Sequence, residues 1–250
     1  MIQRLPFYIY GYTALAIPLK GAVKMIKYTY YKNKKDNERL LDIFDDRYVK
    51  NVRKFHESIP VYSRTPLIKL DHLADELGVG KIYVKDESFR FGLNSFKVLG
   101  GSYAIAKCIA ERTGLDPDHL LFKDITSDDI KRKTGRLTFV SATDGNHGRG
   151  VAWTAKQLGQ RAVIYMPKGS AEERLKKIQM EGAEASITDL NYDDAVRLAA
   201  AKARENGWIL VQDTAWDGYE KVPGWIIQGY ATMADEIYEQ LEGVRPTHIF

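Results

Sequence analysis

A lysine at a predicted loop-to-helix junction is the first residue whose position suggests chemistry. Lys97 follows Phe96 and precedes the apolar run at positions 98–101. Because burial disfavours an ammonium ion, a lysine on such a background can be used as a neutral amine nucleophile. A lysine at a helix start more often extends its charge to solvent, so Lys97 alone is weak evidence of function.

A glycine-rich turn at positions 141–150 is the second candidate, with the sequence Ser-Ala-Thr-Asp-Gly-Asn-His-Gly-Arg-Gly. It joins a predicted strand to a predicted helix, where consecutive backbone N–H groups can hold an anion such as an amino-acid carboxylate. Asn146 can both donate to and accept from a ring hydroxyl. The glycines alone fit an ordinary capped turn equally well. His147 has no Cys or Glu at metal-ligand spacing, so we predict no metal site.

The elements that must position these residues alternate between strand and helix. We predict apolar strands at 81–85, 137–142, 162–166, 185–188, 208–212 and 247–250. Helices are predicted at 38–59, 97–112, 146–158, 192–206 and 223–241. A further helix is predicted to begin at a capping box, residues 170–173, and to end at Gly182. This order is typical of an α/β fold with an open, mostly parallel, twisted sheet and helices on both faces. Ligands of such sheets bind at the carboxyl ends of the strands, which is where the 141–150 turn lies.

Composition excludes several classes of protein. The 250 residues are 44% hydrophobic and 28% charged with a net charge of +4, which is a soluble globular mixture. No basic stripe is interleaved with aromatic residues, so we expect no nucleic-acid partner. The apolar run at 7–19 is shorter than the roughly 20 residues that span a bilayer, so we expect no membrane insertion. The single cysteine, Cys108, excludes an internal disulfide; we predict a buried structural thiol and a cytoplasmic protein.

The lysine and the turn together resemble the pyridoxal-phosphate enzymes related to threonine dehydratase, threonine synthase and the tryptophan synthase beta chain. The resemblance narrows to the diaminopropionate ammonia-lyase family and runs from about position 65 to 250. The segments that carry it are Lys85-Asp86-Glu87-Ser88, Arg90-Phe91-Gly92-Leu93-Asn94, the turn continued to Trp153, Ile164-Tyr165-Met166-Pro167-Lys168-Gly169-Ser170 and Gln212-Asp213-Thr214-Ala215-Trp216.

What the resemblance implies is α,β-elimination of 2,3-diaminopropionate to pyruvate and ammonia. Lys97 would form a Schiff base with pyridoxal 5'-phosphate, with Phe96 and Asn146 also contacting the cofactor. Thr143, Gly145 and His147 would hold the substrate carboxylate. Three catalytic residues follow from the same resemblance, Lys97 and Asp144 as bases on opposite faces of the substrate and Asp213 as the residue that orients or protonates the β-amino group.

Asp144 and Asp213 also have ordinary interpretations, as a helix cap and a turn residue. Asp144 departs from the wider group, in which a small neutral residue is common, and it would let the site accept both D and L isomers. Two other functions stay open: a serine or threonine dehydratase-like enzyme, and a catalytically silent truncated fragment.

The two ends of the sequence carry expectations of their own. Residues 1–37 form an atypical extension, and the composition change at Met25 suggests a mis-assigned start before it. Residues 38–250 are expected to be the N-terminal part of the catalytic fold, with larger-domain strands and a smaller mobile domain around 137–212. The group's phosphate-binding loop would follow the strand at 247–250, so we expect the chain as given to bind the cofactor weakly or not at all. A full-length protein is expected to be a homodimer acting on a small amino acid.

Overall fold

The computed structural model describes residues 9–19, 22–31 and 45–250, in two compact units that divide at residues 42 and 43. In the first unit, β1 (Ile9–Leu19) and β2 (Ala22–Tyr31) form an antiparallel hairpin. The pairing brings Leu19 opposite Ala22. This hairpin was not predicted from the sequence, and the predicted start at Met25 falls within β2.

The second unit contains the alternating strands and helices. Its strands are β3 (Leu67–Lys69), β4 (Tyr83–Lys85), β5 (Thr138–Ala142), β6 (Arg161–Met166), β7 (Glu184–Ile187) and β8 (Ile209–Leu210). Its helices are α1 (Asp46–Glu57), α2 (Asp71–Leu77), α3 (Lys97–Thr113), α4 (Phe122–Ile125), α5 (Asp128–Thr134), α6 (Asn146–Gln157), α7 (Glu172–Met180), α8 (Tyr192–Asn206), α9 (Lys221–Gly229) and α10 (Ala231–Gln240). None of the helices within the described ranges is long and apolar enough to cross a membrane.

A four-stranded parallel sheet in the order β7-β6-β5-β8 forms the frame of this unit. Successive side chains of its central strands enter different clusters. Phe139 and Ile164 pack in the cluster that also contains Val151 of α6, whereas Val140 and Val163 pack with Ala199 of α8. Because strand side chains alternate between faces, α6 and α8 cover opposite faces of the sheet. The predicted fold class is confirmed. β3 and β4 form a separate antiparallel pair.

Helix α3, which begins at Lys97, is held between α6 and α9 by glycine contacts. A Cβ at Gly150 of α6 would lie 2.9 Å from the Cα of Val98. A Cβ at Gly229 of α9 would lie 2.5 Å from the carbonyl oxygen of Leu99. Both glycines therefore allow backbone-to-backbone approach that no side chain would permit. The two contacts fix the first turn of α3.

The loop before Lys97 is anchored by a buried ion cluster. The Arg90 guanidinium, which is 0% exposed, donates to both carboxylate oxygens of Glu236 at 2.8 Å and to Glu87 at 2.7 and 2.9 Å. Lys85 lies 2.7 Å from Glu236. Arg149 of α6 donates to the carbonyl oxygen of Leu93 at 3.1 Å. Paired buried charges with several hydrogen bonds hold such a loop in one geometry.

Four predicted elements differ, in whole or in part, from the structure. The predicted helix at 38–59 is confirmed from residue 46 to 57, and its start lies outside the described residues. Ser170 does not cap a helix: Ala171 is the N-cap of α7, with no side-chain cap bond, so the capping-box prediction was wrong. The helix predicted at 223–241 is two helices, α9 and α10, with Tyr230 between them. Residues 247–250 form no strand.

Candidate active site

Lys97 lies at the first position of α3, and its amine faces a carboxylate. Its Nζ is 3.0 Å from Oδ2 of Asp213, which follows β8. Burial alone would lower the pKa of the Lys97 amine, but the hydrogen bond to Asp213 and that residue's negative charge outweigh burial and raise it. The expectation that apolar surroundings favour a neutral amine was therefore wrong for this arrangement: the ion pair stabilises the ammonium form.

The pKa of Asp213 shifts in the opposite direction to that of Lys97. Burial opposes ionisation of its carboxyl, but the hydrogen bond from the Lys97 ammonium and its positive charge outweigh burial, so the pKa of Asp213 lies below its ordinary value. The carboxylate is about one-fifth exposed, with 18% of its side-chain surface accessible. The site thus holds a stable ammonium–carboxylate pair at the edge of the sheet.

The turn between β5 and α6 is organised by Thr143. Its hydroxyl accepts hydrogen bonds from the N–H groups of Gly145, at 3.0 Å, and Gly148, at 3.3 Å. A Cβ at Gly148 would collide with the Thr143 side chain, so this position requires glycine. Asn146 and His147 begin the helix, and the N–H groups of a first turn have no preceding helical carbonyl to bind. The N–H groups of these two residues are therefore the ones available to a carboxylate.

The side chain of His147 lies under the turn. The ring is 3% exposed, and Nε2 donates to the carbonyl oxygen of Val211 at 2.8 Å. Since a carbonyl only accepts, Nε2 carries the proton and Nδ1 is a lone-pair acceptor. Burial lowers the pKa of His147 below its ordinary value despite the charge of Asp213. His147 can therefore meet a carboxylate through its backbone, while its ring faces inward.

Asp144 is exposed at the mouth of the turn and pairs with an arginine that was not predicted. Arg174 of α7 donates to the carbonyl oxygen of Asp144 at 3.1 Å and approaches its Oδ2 at 3.4 Å. The Arg174 chain also lies against Gly145, where a Cβ would be 3.2 Å from its Cδ. Sequence spacing gives no sign of this contact, because it joins residues 30 positions apart.

One cavity of about 200 Å³ brings most of the predicted residues together. Its lining residues are Lys97, Thr143, Asp144, Asn146, His147, Arg174, Tyr192 and Asp213. Tyr192 was not predicted, and its hydroxyl accepts from Nε2 of Gln212 at 3.2 Å. Gly145 and Phe96 are not among the lining residues. Phe96 instead lies beside the amine, with its ring centroid 5.8 Å from Nζ of Lys97.

The residues around Lys97 fit a flat, carbonyl-bearing cofactor. The rings of Phe96 and Tyr230 flank the amine, with the Tyr230 centroid 5.6 Å from Nζ. Among the residues that the structure describes, the buried hydroxyl of Tyr230 and Nδ1 of His147 have no hydrogen-bond partner. Buried polar atoms are rarely left unpaired, so the Tyr230 hydroxyl marks a place for a polar group beside the Lys97 amine, whereas Nδ1 of His147 faces Asp213. Within residues 45–250 no group of three His, Cys, Asp or Glu side chains could hold a metal ion.

Comparisons with known proteins agree with this geometry. A family model described as "Pyridoxal-phosphate dependent enzyme" matches residues 59–250. The chain is 54% identical over 220 residues to a diaminopropionate ammonia-lyase of Escherichia coli strain K12, covering 87% of this chain and 54% of that protein. It is 51% identical over 231 residues to a diaminopropionate ammonia-lyase of Salmonella typhimurium strain LT2, covering 90% of this chain and 57% of that protein.

A solved structure is also similar. The crystal structure of the Escherichia coli diaminopropionate ammonia-lyase in complex with D-serine matches with a TM-score of 0.78 and 55% identity. The match covers 82% of this chain and 52% of that chain. The chain therefore spans about half the length of the curated relatives it matches.

Proposed function

Since the chain belongs to the family of pyridoxal-phosphate dependent enzymes, we propose that it serves the α,β-elimination of 2,3-diaminopropionate to pyruvate and ammonia. The observation that carries this proposal is the pair of carboxylates, Asp144 and Asp213, on the same cavity as the Lys97 amine. A dehydratase that acts on one isomer of serine or threonine needs a base on one face of the substrate only, so a carboxylate base in addition to the lysine favours the ammonia-lyase. The similarity to two diaminopropionate ammonia-lyases supports the same substrate.

Lys97 is the residue that would hold the cofactor covalently, with Phe96 beside it and Asn146 on the cavity wall. Pyridoxal phosphate, when bound, supplies an electron sink for the carbanion that forms at the substrate Cα. The described residues then have to bind the amino acid, take a proton from Cα and give a proton to the departing amine.

Proton removal from Cα is divided between two bases. Lys97 acts on one side of the substrate, after its own proton has been lost, and Asp144 acts on the other. Bases on both sides let one site accept D and L isomers. The complex of the Escherichia coli relative with D-serine supports acceptance of a D-amino acid by this kind of site. Arg174 must release Asp144 for this role, and an exposed ion pair of this kind is worth only about 0–1 kcal/mol.

Substrate orientation comes from the two ends of the cavity. The N–H groups of Asn146 and His147 at the start of α6 bind the α-carboxylate, because a helix N-terminus favours an anion. Asp213 faces the β-amino group, which is cationic when protonated, and helps it to leave as ammonia.

The test is the release of pyruvate from D- and L-2,3-diaminopropionate and from L-serine, by the protein supplied with a large excess of pyridoxal phosphate, so that weak cofactor binding does not limit the rate. We expect faster release from diaminopropionate than from serine and loss of all release in Lys97→Ala. Asp144→Asn should lower turnover of one isomer by about 100-fold or more, as removal of a general base does, and affect the other isomer far less. The matched control is Asp189→Asn, an exposed acid outside the cavity.

Two outcomes would contradict the proposal. Faster pyruvate release from serine than from diaminopropionate would favour a dehydratase. Equal losses on both isomers in Asp144→Asn would remove the two-base assignment and leave Asp144 as the ion-pair partner of Arg174.

We also propose that the protein is a homodimer of the cytoplasm. The only cysteine is buried rather than bridged, which suits a reducing compartment. Light scattering on the purified protein tests the dimer, and a monomer at micromolar concentration would contradict it.

A further inference from the structure

His147 has an acceptor atom that points at Asp213 but does not bond to it. Its Nε2–H is used by the carbonyl oxygen of Val211, at 2.8 Å. That bond fixes the tautomer and leaves a lone pair on Nδ1. Nδ1 is buried without a hydrogen-bond partner among the described residues, 3.8 Å from Oδ2 of Asp213. Both atoms are hydrogen-bond acceptors, so a proton placed between them would allow a hydrogen bond.

The same carboxylate oxygen serves Lys97. Oδ2 of Asp213 accepts from Nζ at 3.0 Å, so it lies between the ammonium group and the imidazole. With Lys97 cationic, Asp213 anionic and His147 neutral, the three buried or half-buried groups carry no net charge. A neutral Lys97 would leave Asp213 as a carboxylate without a cation. An uncompensated buried charge is costly, so this state calls for another proton near Asp213.

We propose that His147 is a positioning residue for Asp213, and that the two side chains together hold the proton released when Lys97 becomes a neutral amine. An N–H bond of the ammonium breaks and its electron pair stays on Nζ. The proton moves to Oδ2 of Asp213, where it is shared with Nδ1 of His147. Nothing is oxidised or reduced, and the total charge of the three groups is unchanged. This rests on the part of the proposed function in which Lys97 is the reacting amine.

The other groups near the amine cannot take this proton. Tyr230 also faces Lys97, but its phenol is already protonated, and burial raises its pKa above the ordinary value. Asp144 contacts Arg174 at the exposed side of the turn, whereas the carboxylate that accepts a hydrogen bond from the Lys97 amine is that of Asp213. The charged groups that act on the His147 ring within the described part of the chain are Asp213 and Lys97. The proton released by Lys97 is therefore held by Asp213 and His147, which we call the proton store.

The experiment is nitrogen NMR of the full chain with labelled histidine, as a function of pH, in the wild type and in Lys97→Met. In the wild type we expect Nδ1 of His147 to keep the signal of an unprotonated nitrogen through neutral pH. Removing the lysine charge should bring a proton to Nδ1, and the pKa of His147 should rise by about 1 to 3, because a nearby like charge is lost while the Asp213 carboxylate stays. Lys97→Gln gives a second uncharged replacement should Lys97→Met fail to fold.

Three controls make the result specific. Lys97→Arg keeps a cation beside Asp213 and should leave His147 as in the wild type. Lys97→Met combined with Asp213→Asn should abolish the rise. His56 is also fully buried, but both of its ring nitrogens are bonded, to Thr232 at 2.7 Å and to Leu99 at 3.0 Å, so its signals should not change.

The proposal is overturned if His147 titrates identically in Lys97→Met and the wild type, or if the rise persists without the Asp213 carboxylate. These readouts need neither turnover nor cofactor. A protein that releases no pyruvate but shows the rise would refute the proposed function and keep the proton store. A protein that releases pyruvate but shows no rise would keep the proposed function and refute the proton-holding role of His147 and Asp213.

Discussion

Replacing Gly229 by alanine would perturb the contact through which α9 carries Tyr230 to the Lys97 amine. A Cβ at position 229 would lie 2.5 Å from the carbonyl oxygen of Leu99 and 2.7 Å from the Cα of Gly100. Both neighbours are backbone atoms of α3, so no side-chain rotation relieves the clash. The helices must move apart, and the ring of Tyr230, one residue later, must move with them.

The size of the effect follows from two opposing terms. Overpacking of a well-packed contact costs about 1–3 kcal/mol of unfolding free energy, whereas alanine in place of a helical glycine gains up to about 1 kcal/mol. Gly224 lies in the same helix with no atom within 4 Å of a Cβ, so Gly224→Ala should show only the gain. Because both variants share the helical gain, they should differ by the overpacking cost of about 1–3 kcal/mol, with Gly229→Ala the less stable.

Urea unfolding followed by tryptophan fluorescence measures this difference. The rate at which an aldehyde modifies Lys97, followed by reductive trapping and mass spectrometry, reports the geometry of the amine. Gly229→Ala should change both measurements, and Gly224→Ala only the first. Equal unfolding midpoints for the two variants would refute the close contact between α3 and α9.

Two further predictions concern buried groups outside the cavity. Burial would raise the pKa of Glu236, but hydrogen bonds from Arg90 and Lys85 hold it at about 2 instead of 4.5, which corresponds to roughly 3 kcal/mol of stability. A carboxyl group whose pKa is lowered by folding stabilises the fold at pH values above its ordinary pKa, and this contribution is lost as the pH falls towards 2. Glu236→Gln should therefore be less stable than the wild type at neutral pH. In urea titrations it should also lose less stability than the wild type on acidification. The burial of Cys108 raises the pKa of its thiol to about 12, so an aromatic disulfide reagent should find no reactive thiol in the native protein and one after denaturation; a fast native reaction would contradict this burial.

The elements around the site could be predicted because each one leaves a local signal. The helix predicted at 192–206 has those bounds in α8, where Asn191 caps the first turn and Gly207 takes the left-handed conformation at the end. β5 and β6 could be predicted because both faces of the sheet are covered, which makes each strand a continuous apolar run. Local patterning thus placed the turn at 141–150 between a strand and a helix.

Contacts between residues far apart in the chain leave no such signal. Arg90 and Glu236 are 146 positions apart, and either charge alone suggests an exposed side chain. The break between α9 and α10 at Tyr230 is equally hidden, because the apolar spacing continues across it. The ammonium state of Lys97 was mispredicted for the same reason: the apolar neighbours are local, whereas the carboxylate that stabilises the charge is 116 positions away.

The strand order explains why Asp213 is the carboxylate that reaches Lys97. β5 and β8 are neighbours in the sheet, so the segments after both strands lie at the same edge. Gln212 fixes this neighbourhood, because its Oε1 accepts from the N–H of Ala142 at 2.9 Å while its own N–H donates to Tyr219 at 2.9 Å. Any shift of β8 relative to β5 would therefore move Asp213 away from both Lys97 and His147. The pairing of two strands that are distant in sequence thus sets the protonation state of the amine.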